Sequence, residues 1–578
     1  MVEVSDNQHD IIIRGGTVYD GLGNPPKQAE VAIRDGKVAE IAPKMAGAAV
    51  REIDALGKWV MPGFLDIHTH YDAEIEVLPG LDESVRHGVT TIVMGNCSLS
   101  TALGQENDLL DIFCRVENLP RPLMESWLKD KITWRSLAEY YDHLDELPKG
   151  PNVASFLGHS NVRFAVMGME RSLKVHKPDD AELKKMKQHV QDAVDAGYLG
   201  LSIDMLPWHR MDGAPYAGIS IPSQQARGPE YRALGEVLRA NDAVLQATPN
   251  ALNRKTVLLL LSLSAGFWKK PLRTTIVAAL DVKTNRNIHR LATTGAGVFN
   301  TFFNADVRFQ ALADPFVMYG DGPVIPFFEE LPAGTELVDA TPARRKEMMR
   351  DPEFRARFTK DWTQGKNKVF HCDLGDMEIV SCPEEDVAGK SIAQAAVDRG
   401  ENPLEFFMDM LAKHDLAFRW RSSAANDRPW ARKRLLGHKY TLPGFNDSGA
   451  HNRNMGFQDG ALQMLRQAQE DPGWISMEKA IARLTSVPAD FLGIDAGRLT
   501  PGKAADCVVI DPARLQDGLG DMVEYEDARI GGNMRLVRRS DAVVNHVIIG
   551  GKVAWENGAA APTLGKEKFG KLLKRKGG

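Results

Sequence analysis

"FLDIHTHYDAE", residues 64–74, is an apolar run that ends on two histidines one residue apart, with Tyr71, Asp72 and Glu74 just beyond. In an extended strand alternate side chains share a face, so His68 and His70 point to one side and Thr69 to the other. At strand rise their backbones lie about 7 Å apart, close enough for both imidazoles to reach one ion. Two readings follow. The histidines are metal ligands at the C-terminal end of a strand, or they are strand-end polar residues bonded to backbone and water. The apolar strand before them and the Tyr71-Asp72 pair after them favour ligation.

Further along the chain, apolar runs of strand length alternate with amphipathic helical stretches, the pattern of a parallel sheet or barrel. Eight such runs occur: "GFLDIHTH" (63–70), "TTIVMGNC" (90–97), "NVASFLGHS" (152–160), "YLGLSID" (198–204), "AVLQATP" (243–249), "TTIVAALDV" (274–282), "GVFNTFFNA" (297–305) and "LPGFNDSG" (442–449). Eight is the number a closed (β/α)8 TIM barrel requires. Between the third and fourth, "PDDAELKKMKQHVQDAVDAG" (178–197) opens on Pro and Asp and stops at Gly197, as a helix does. In nearly every run the polar residues come last: His68 and His70, Cys97, His159, Asp204, Gln246, Asp281 and Asp447. A barrel builds its active site on that face from several strand ends.

Both ends of the chain have a different texture. "DIIIRGGTVYDG", "AEVAIRDGKVAEIAP" and "REIDALGKWVMPG" near the start, and "GRLTPGKAADCVVIDP" and "DAVVNHVIIGGKVAWENG" near the end, mix β-branched residues with turn formers. They are expected to fold together as a small β domain. The expected division is residues 1–62 and 486–560 for that domain, 63–485 for the barrel with an insertion or lid at about 305–370, and 561–578 as a basic, solvated tail.

Composition narrows the function. The 578 residues are 43% hydrophobic and 26% charged, with a formal net charge of -6, so nucleic acid is not an expected partner and a small molecule is. The five cysteines are scattered without a CxxC pair, which argues against a disulfide framework and for a reducing compartment. The longest apolar run, "VLLLLSLSAGFW" (257–268), is too short to span a bilayer, and the polar start of the chain lacks a leader pattern. A cytoplasmic protein without membrane attachment is expected, and a homo-oligomer is compatible with the sequence.

Two further residues could join His68 and His70. Cys97, in "MGNCSLS", ends the second run, where a thiolate could complete or bridge a histidine site or where the thiol is simply buried. Asp447, in "NDSG", could bind metal and pass a proton, or be part of a turn.

Taken together, "VMPGFLDIHTHYDAE", "RHGVTTIVMGNCS", "GHSNVRFAVMG", "DAGYLGLSID", "GFNDSGAH" and "GRLTPGKAADCVVID" resemble, in order, the amidohydrolase superfamily in its N-acyl-D-amino-acid deacylase (D-aminoacylase) branch, over about residues 10–555. The resemblance implies a metal-dependent (β/α)8 barrel with a small β-sandwich built from both chain ends. It implies His68, His70 and Cys97 as ligands to one or two zinc ions or another divalent metal, with Asp447 as metal ligand and catalytic acid/base.

The chain departs from the branch pattern at two strand ends. Where the branch has a histidine in an "SHxR"-like segment ending strand five, this chain has "LQATPN", with Gln246 or Thr248 at the position. The "SHxK" histidine of strand six corresponds to Asp281, which can still bind a cation, whereas glutamine is a much weaker zinc ligand. His159, His209 and His451 face the same mouth by position. Lys283, at the family's "SHxK" lysine, and Arg163 are the candidates for a substrate carboxylate, with His159 and Gln246 as further substrate contacts. The expected function is metal-dependent hydrolysis of a C–N bond in an N-acyl amino acid or related anionic amide. A cyclic amide, carbamate, lactone or deaminase-type substrate on the same barrel is the alternative, followed by a metal-free, non-catalytic relative.

Overall fold

The computed structural model describes residues 8–364 and 368–576. Eight parallel strands close into the barrel. In order they are Phe64–Asp66 continuing as His68–Thr69, Val89–Met94, Asn152–Ser155 continuing as Leu157–Gly158, Gly200–Asp204, Val244–Thr248, Arg273–Ile276, Asp306–Ala311, and Thr441–Pro443 continuing as Phe445–Ser448. Each pairs with the next, and Phe445 pairs with His68 to close the ring. Strands covered on both faces read as apolar runs, which is why their residues are buried almost throughout.

The seventh strand is not where the sequence places it. "GVFNTFFNA" belongs to the end of the helix Ile288–Phe302 and the turn after it, and the strand is Asp306–Ala311. The helix buries His289, Thr293 and Ala296 at helical spacing, a face that extends upstream of the run and that a strand reading ignores. Asn300 fixes the join: its amide donates to the Val307 carbonyl at 2.9 Å and its oxygen accepts the Val307 N–H at 2.9 Å. The helix Asp180–Ala196 starts and stops as its sequence indicates. Asp179 and Glu182 form a reciprocal capping box, and Gly197 turns left-handed at φ +104°.

Because residues 306–311 are barrel, the inserted layer lies later than expected and extends past residue 370. Three antiparallel strands, Phe316–Asp321, Arg419–Ala425 and Met377–Ser381, form its sheet. Helices between residues 332 and 414 cover that sheet around an aromatic core of Phe327, Phe328, Trp362, Phe407 and Trp420. The layer sits between strands seven and eight, on the side of the barrel where those strands end.

Strands from both chain ends share one nine-stranded sheet, with Trp59–Pro62 antiparallel to Cys507–Ile510 at its middle. Ile13, Val31, Ile53, Val60, Leu499 and Val509 pack together as the core of this small β-sandwich. All five cysteines are free. No helix among the described residues is long and apolar enough to cross a membrane.

The basic segment after residue 561 is not solvated. Leu573 N–H donates to the Val153 carbonyl at 2.7 Å, Val153 N–H to Lys571 at 3.0 Å, and Arg575 N–H to Gly197 at 3.0 Å. Phe569, Leu572 and Leu573 are buried, and Leu573 packs with Leu65, Phe156, Leu199, Phe491 and Leu492 at the floor of the barrel. Its lysines project outward while its apolar residues seal the barrel end opposite the histidines, so charge alone misreads it. Leu573→Ala is expected to lower stability by about 2–4 kcal/mol, read as a shift in denaturant midpoint. An unchanged midpoint would show that the tail is not part of the folded core.

Candidate metal centre and the cavity above it

The first strand delivers His68 and His70 to the barrel mouth, and each ring is turned by a partner on its Nδ1. His68 Nδ1 lies 2.8 Å from Gln310 Oε1 on strand seven, so it donates there and leaves Nε2 as the lone-pair nitrogen. His70 Nδ1 lies 3.0 Å from Glu117 Oε1, an ion-pair contact between two buried side chains. The two Nε2 atoms consequently face each other at 3.2 Å. Two lone pairs at that distance repel unless a proton or a cation lies between them.

Cys97 follows a left-handed turn after strand two, with Gly95 at φ +72°, Cys97 at +50° and Ser98 at +65°. The turn is held by Gln246, whose Oε1 accepts the Cys97 N–H at 3.0 Å. This brings Sγ to 3.4 Å from His68 Nε2 and 3.3 Å from Thr248 Oγ1. Donor atoms of His68, His70 and Cys97 all lie within 4.8 Å of one another, and all three residues are buried. Asp447, at φ +54° in strand eight, completes the group, with Oδ1 3.3 Å from His70 Nε2 and 3.6 Å from His68 Nε2.

The electrostatics favour a cation. Burial pushes His68 down to about 4, so its ring is neutral and available as a donor. Burial also opposes a charge on His70, but Glu117 and Asp447 outweigh it and hold its proton affinity well above the ordinary histidine value. Burial works against ionisation of Asp447, yet His70 and His68 beside it keep its carboxyl well below the usual range. The Cys97 thiol is pushed up to about 11 by burial. Two carboxylates thus create a negative potential at the point where the imidazoles need a positive charge. An N, N, S and carboxylate donor set is one that suits zinc among the divalent metals.

Not every candidate reaches this cluster. Asp281 lies beyond strand six and is buried under two arginines: Arg428 donates to Oδ2 at 2.7 Å and to Oδ1 at 2.5 Å, and Arg286 to Oδ2 at 3.2 Å. Lys283 turns to Asp376 at 2.8 Å. Arg163 is buried against Glu230 at 2.5 Å and the Val175 carbonyl at 2.5 Å. His159 contacts Ser223 at 3.0 Å and the same Glu230 at 2.9 Å, so it knits the barrel wall. Gln246 holds the backbone of Cys97 and does not line the cavity. His209, paired with Asp204 at 2.7 Å, and His451 do line it.

Glu117 is the residue the sequence does not reveal. It ends the helix Glu106–Val116, where a glutamate is ordinarily solvated, but here it is buried and its carbonyl accepts the His451 N–H at 2.9 Å. Above the cluster opens a cavity of about 1190 Å3, with His68, His70, Cys97, Glu117 and Asp447 in its lining.

Residues 51–227 and again 445–554 match the amidohydrolase family. An uncharacterised protein of Mycobacterium tuberculosis (strain ATCC 25618 / H37Rv) is 39% identical over 566 residues, 95% of this chain and 92% of that protein. The chain belongs to the amidohydrolase family. Shorter similarity, 34% over 199 residues, links it to an N-acyl-D-glutamate deacylase of Alcaligenes xylosoxydans xylosoxydans, over 33% of this chain and 36% of that one. Among solved structures, an N-acyl-D-glutamate deacylase from Bordetella bronchiseptica, complexed with zinc and a phosphonate inhibitor, shares the fold with a TM-score of 0.64. That likeness is at 21% identity over 98% of this chain and 100% of that one. Membership makes this amidohydrolase a hydrolase in class.

Glu117 anchors the ring of His70, so Glu117→Gln is expected to weaken zinc binding by roughly 10- to 100-fold in chelator competition, with the circular dichroism spectrum unchanged. Unaltered affinity would detach Glu117 from the centre.

Proposed function

We propose that this amidohydrolase hydrolyses the amide C–N bond of an N-acyl amino acid, using a divalent ion held by His68, His70 and Cys97. The observation that carries the reading is the pair of imidazole nitrogens turned face to face beside a thiol and a carboxylate. A metal in such a site polarises a carbonyl and acidifies water.

Asp447 supplies the proton traffic. Its carboxylate is held ionised at the cavity floor, so it accepts a proton from the attacking water and passes it to the leaving nitrogen as the C–N bond breaks. Gln310 and Glu117 keep the imidazoles aimed throughout. Gln246 acts on the Cys97 turn rather than on substrate, and Asp281 is taken up by Arg286 and Arg428. With Lys283 and Arg163 engaged elsewhere, Arg254 is the candidate for a substrate carboxylate. It lines the cavity and makes no ion pair among the described residues, whereas Arg115 is held by Glu329 and Asp339.

Asp447→Asn is expected to lower kcat on an N-acyl amino acid panel of both hands by about 10²- to 10⁴-fold. Stripping with chelator should abolish turnover in the unaltered protein, and zinc or manganese should restore it. Full activity in the variant would remove Asp447 from the reaction, and activity that survives stripping would remove the metal.

A further inference from the structure

The cavity is far larger than a short N-acyl amino acid needs, and its walls have a definite chemistry. Pockets that enclose drug-sized ligands span roughly 300–1,000 Å3. This one reaches about 1190 Å3. On one side it is walled by two helices, Arg254–Ser264 and Ile288–Phe302, which contribute Val257, Leu258, Leu261, Ile288, Leu291 and Ala292. The facing wall is the inserted layer, with Phe316, Met318, Val338 and Phe370.

The apolar lining does not stop inside the protein. Leu258 and Leu291 are each 56% exposed while still lining the cavity, so apolar lining reaches solvent at this rim. Exposed apolar residues that continue into an apolar-lined cavity are the pattern of a ligand-binding groove. The two cations that strand position offers for gripping a small anionic substrate, Lys283 and Arg163, are both bound to protein carboxylates. With Arg254 left to meet the carboxylate, the rest of the binding energy in this cavity comes chiefly from apolar contact.

We infer that the substrate carries a long unbranched acyl chain, roughly ten carbons or more, laid between the two helices and the inserted layer. The inference rests on the amide-hydrolase reading for the bond that is cut. Water adds across the C–N bond, the acyl carbon leaves as a long-chain carboxylate, and the nitrogen leaves as the amine of the amino acid. The chain stays in the apolar wall while the amide reaches the histidines.

The test is a chain-length series of N-acyl amino acids, from acetyl to tetradecanoyl, below their micellar concentrations. Each added methylene is expected to raise kcat/KM by roughly two- to fourfold until the wall is filled. Ala292→Trp, which fills the space between the helices, should lower the ratio of dodecanoyl to acetyl kcat/KM at least tenfold. In parallel, binding of the fluorescent fatty acid 11-(dansylamino)undecanoic acid is measured for the zinc-loaded protein and the variant, with saturable binding weakened at least tenfold by the tryptophan.

A flat or falling chain-length profile among hydrolysed amides would overturn the inference and leave amide hydrolysis standing. Hydrolysis of no amide, together with saturable fatty-acid binding that Ala292→Trp weakens, would uphold the chain site and overturn the amide reading. Absence of saturable binding in the folded protein would overturn the chain site.

Discussion

The closure of the barrel between its first and last strands is the constraint on which the site depends. Phe445 pairs with His68, and Asp66 accepts the Ser448 hydroxyl at 2.7 Å while also accepting the His68 N–H at 3.3 Å. One buried carboxylate thus ties together the two strands that carry His68, His70 and Asp447. The spacing of His68 and His70 from Asp447, 379 and 377 residues away in sequence, is set by backbone pairing and not by loop conformation. Sites carried on rigid strands keep their geometry without an ordering cost at each turnover.

Around that joint the polar groups form two shells with separate tasks. The inner one offers lone pairs to a single point. The outer one, Gln310, Glu117 and Gln246, decides which nitrogen carries a proton and where the thiol sits. Gln246 shows how a departure from the family pattern is absorbed. It is one of the two residues expected, with Thr248, at the strand-five histidine position, and its side chain reaches the N–H of Cys97, in a left-handed conformation that a residue with a β-carbon rarely adopts.

Seven of the eight barrel strands are legible in the sequence because double-sided burial turns them into apolar runs. The seventh hides for the converse reason. Asp306, Arg308 and Gln310 make it look polar, and Gln310 is polar because it faces the histidines inside the barrel. The apolar run just before it belongs to a helix that lines the cavity. His68, His70, Cys97 and Asp447 are visible as strand ends, since strand geometry alone brings them to one mouth. Glu117 is not visible, because no periodicity marks a helix-end glutamate for burial. The fate of Asp281 is equally hidden, because Arg428, its main partner, comes 147 residues later.

The tail that seals the barrel floor bears on how the chain is made. Strands near the start and near the end share one sheet, and Leu573 plugs a barrel whose first strand begins at residue 64. During synthesis the first strand must wait for its closing neighbour at 441–448, and the floor for residues beyond 569. Contacts of such long sequence separation form slowly and leave apolar strand surface open in the meantime. Much of the barrel therefore completes only once residues beyond 569 have been made, and until then its apolar strand surfaces lack the partners that cover them in the folded chain.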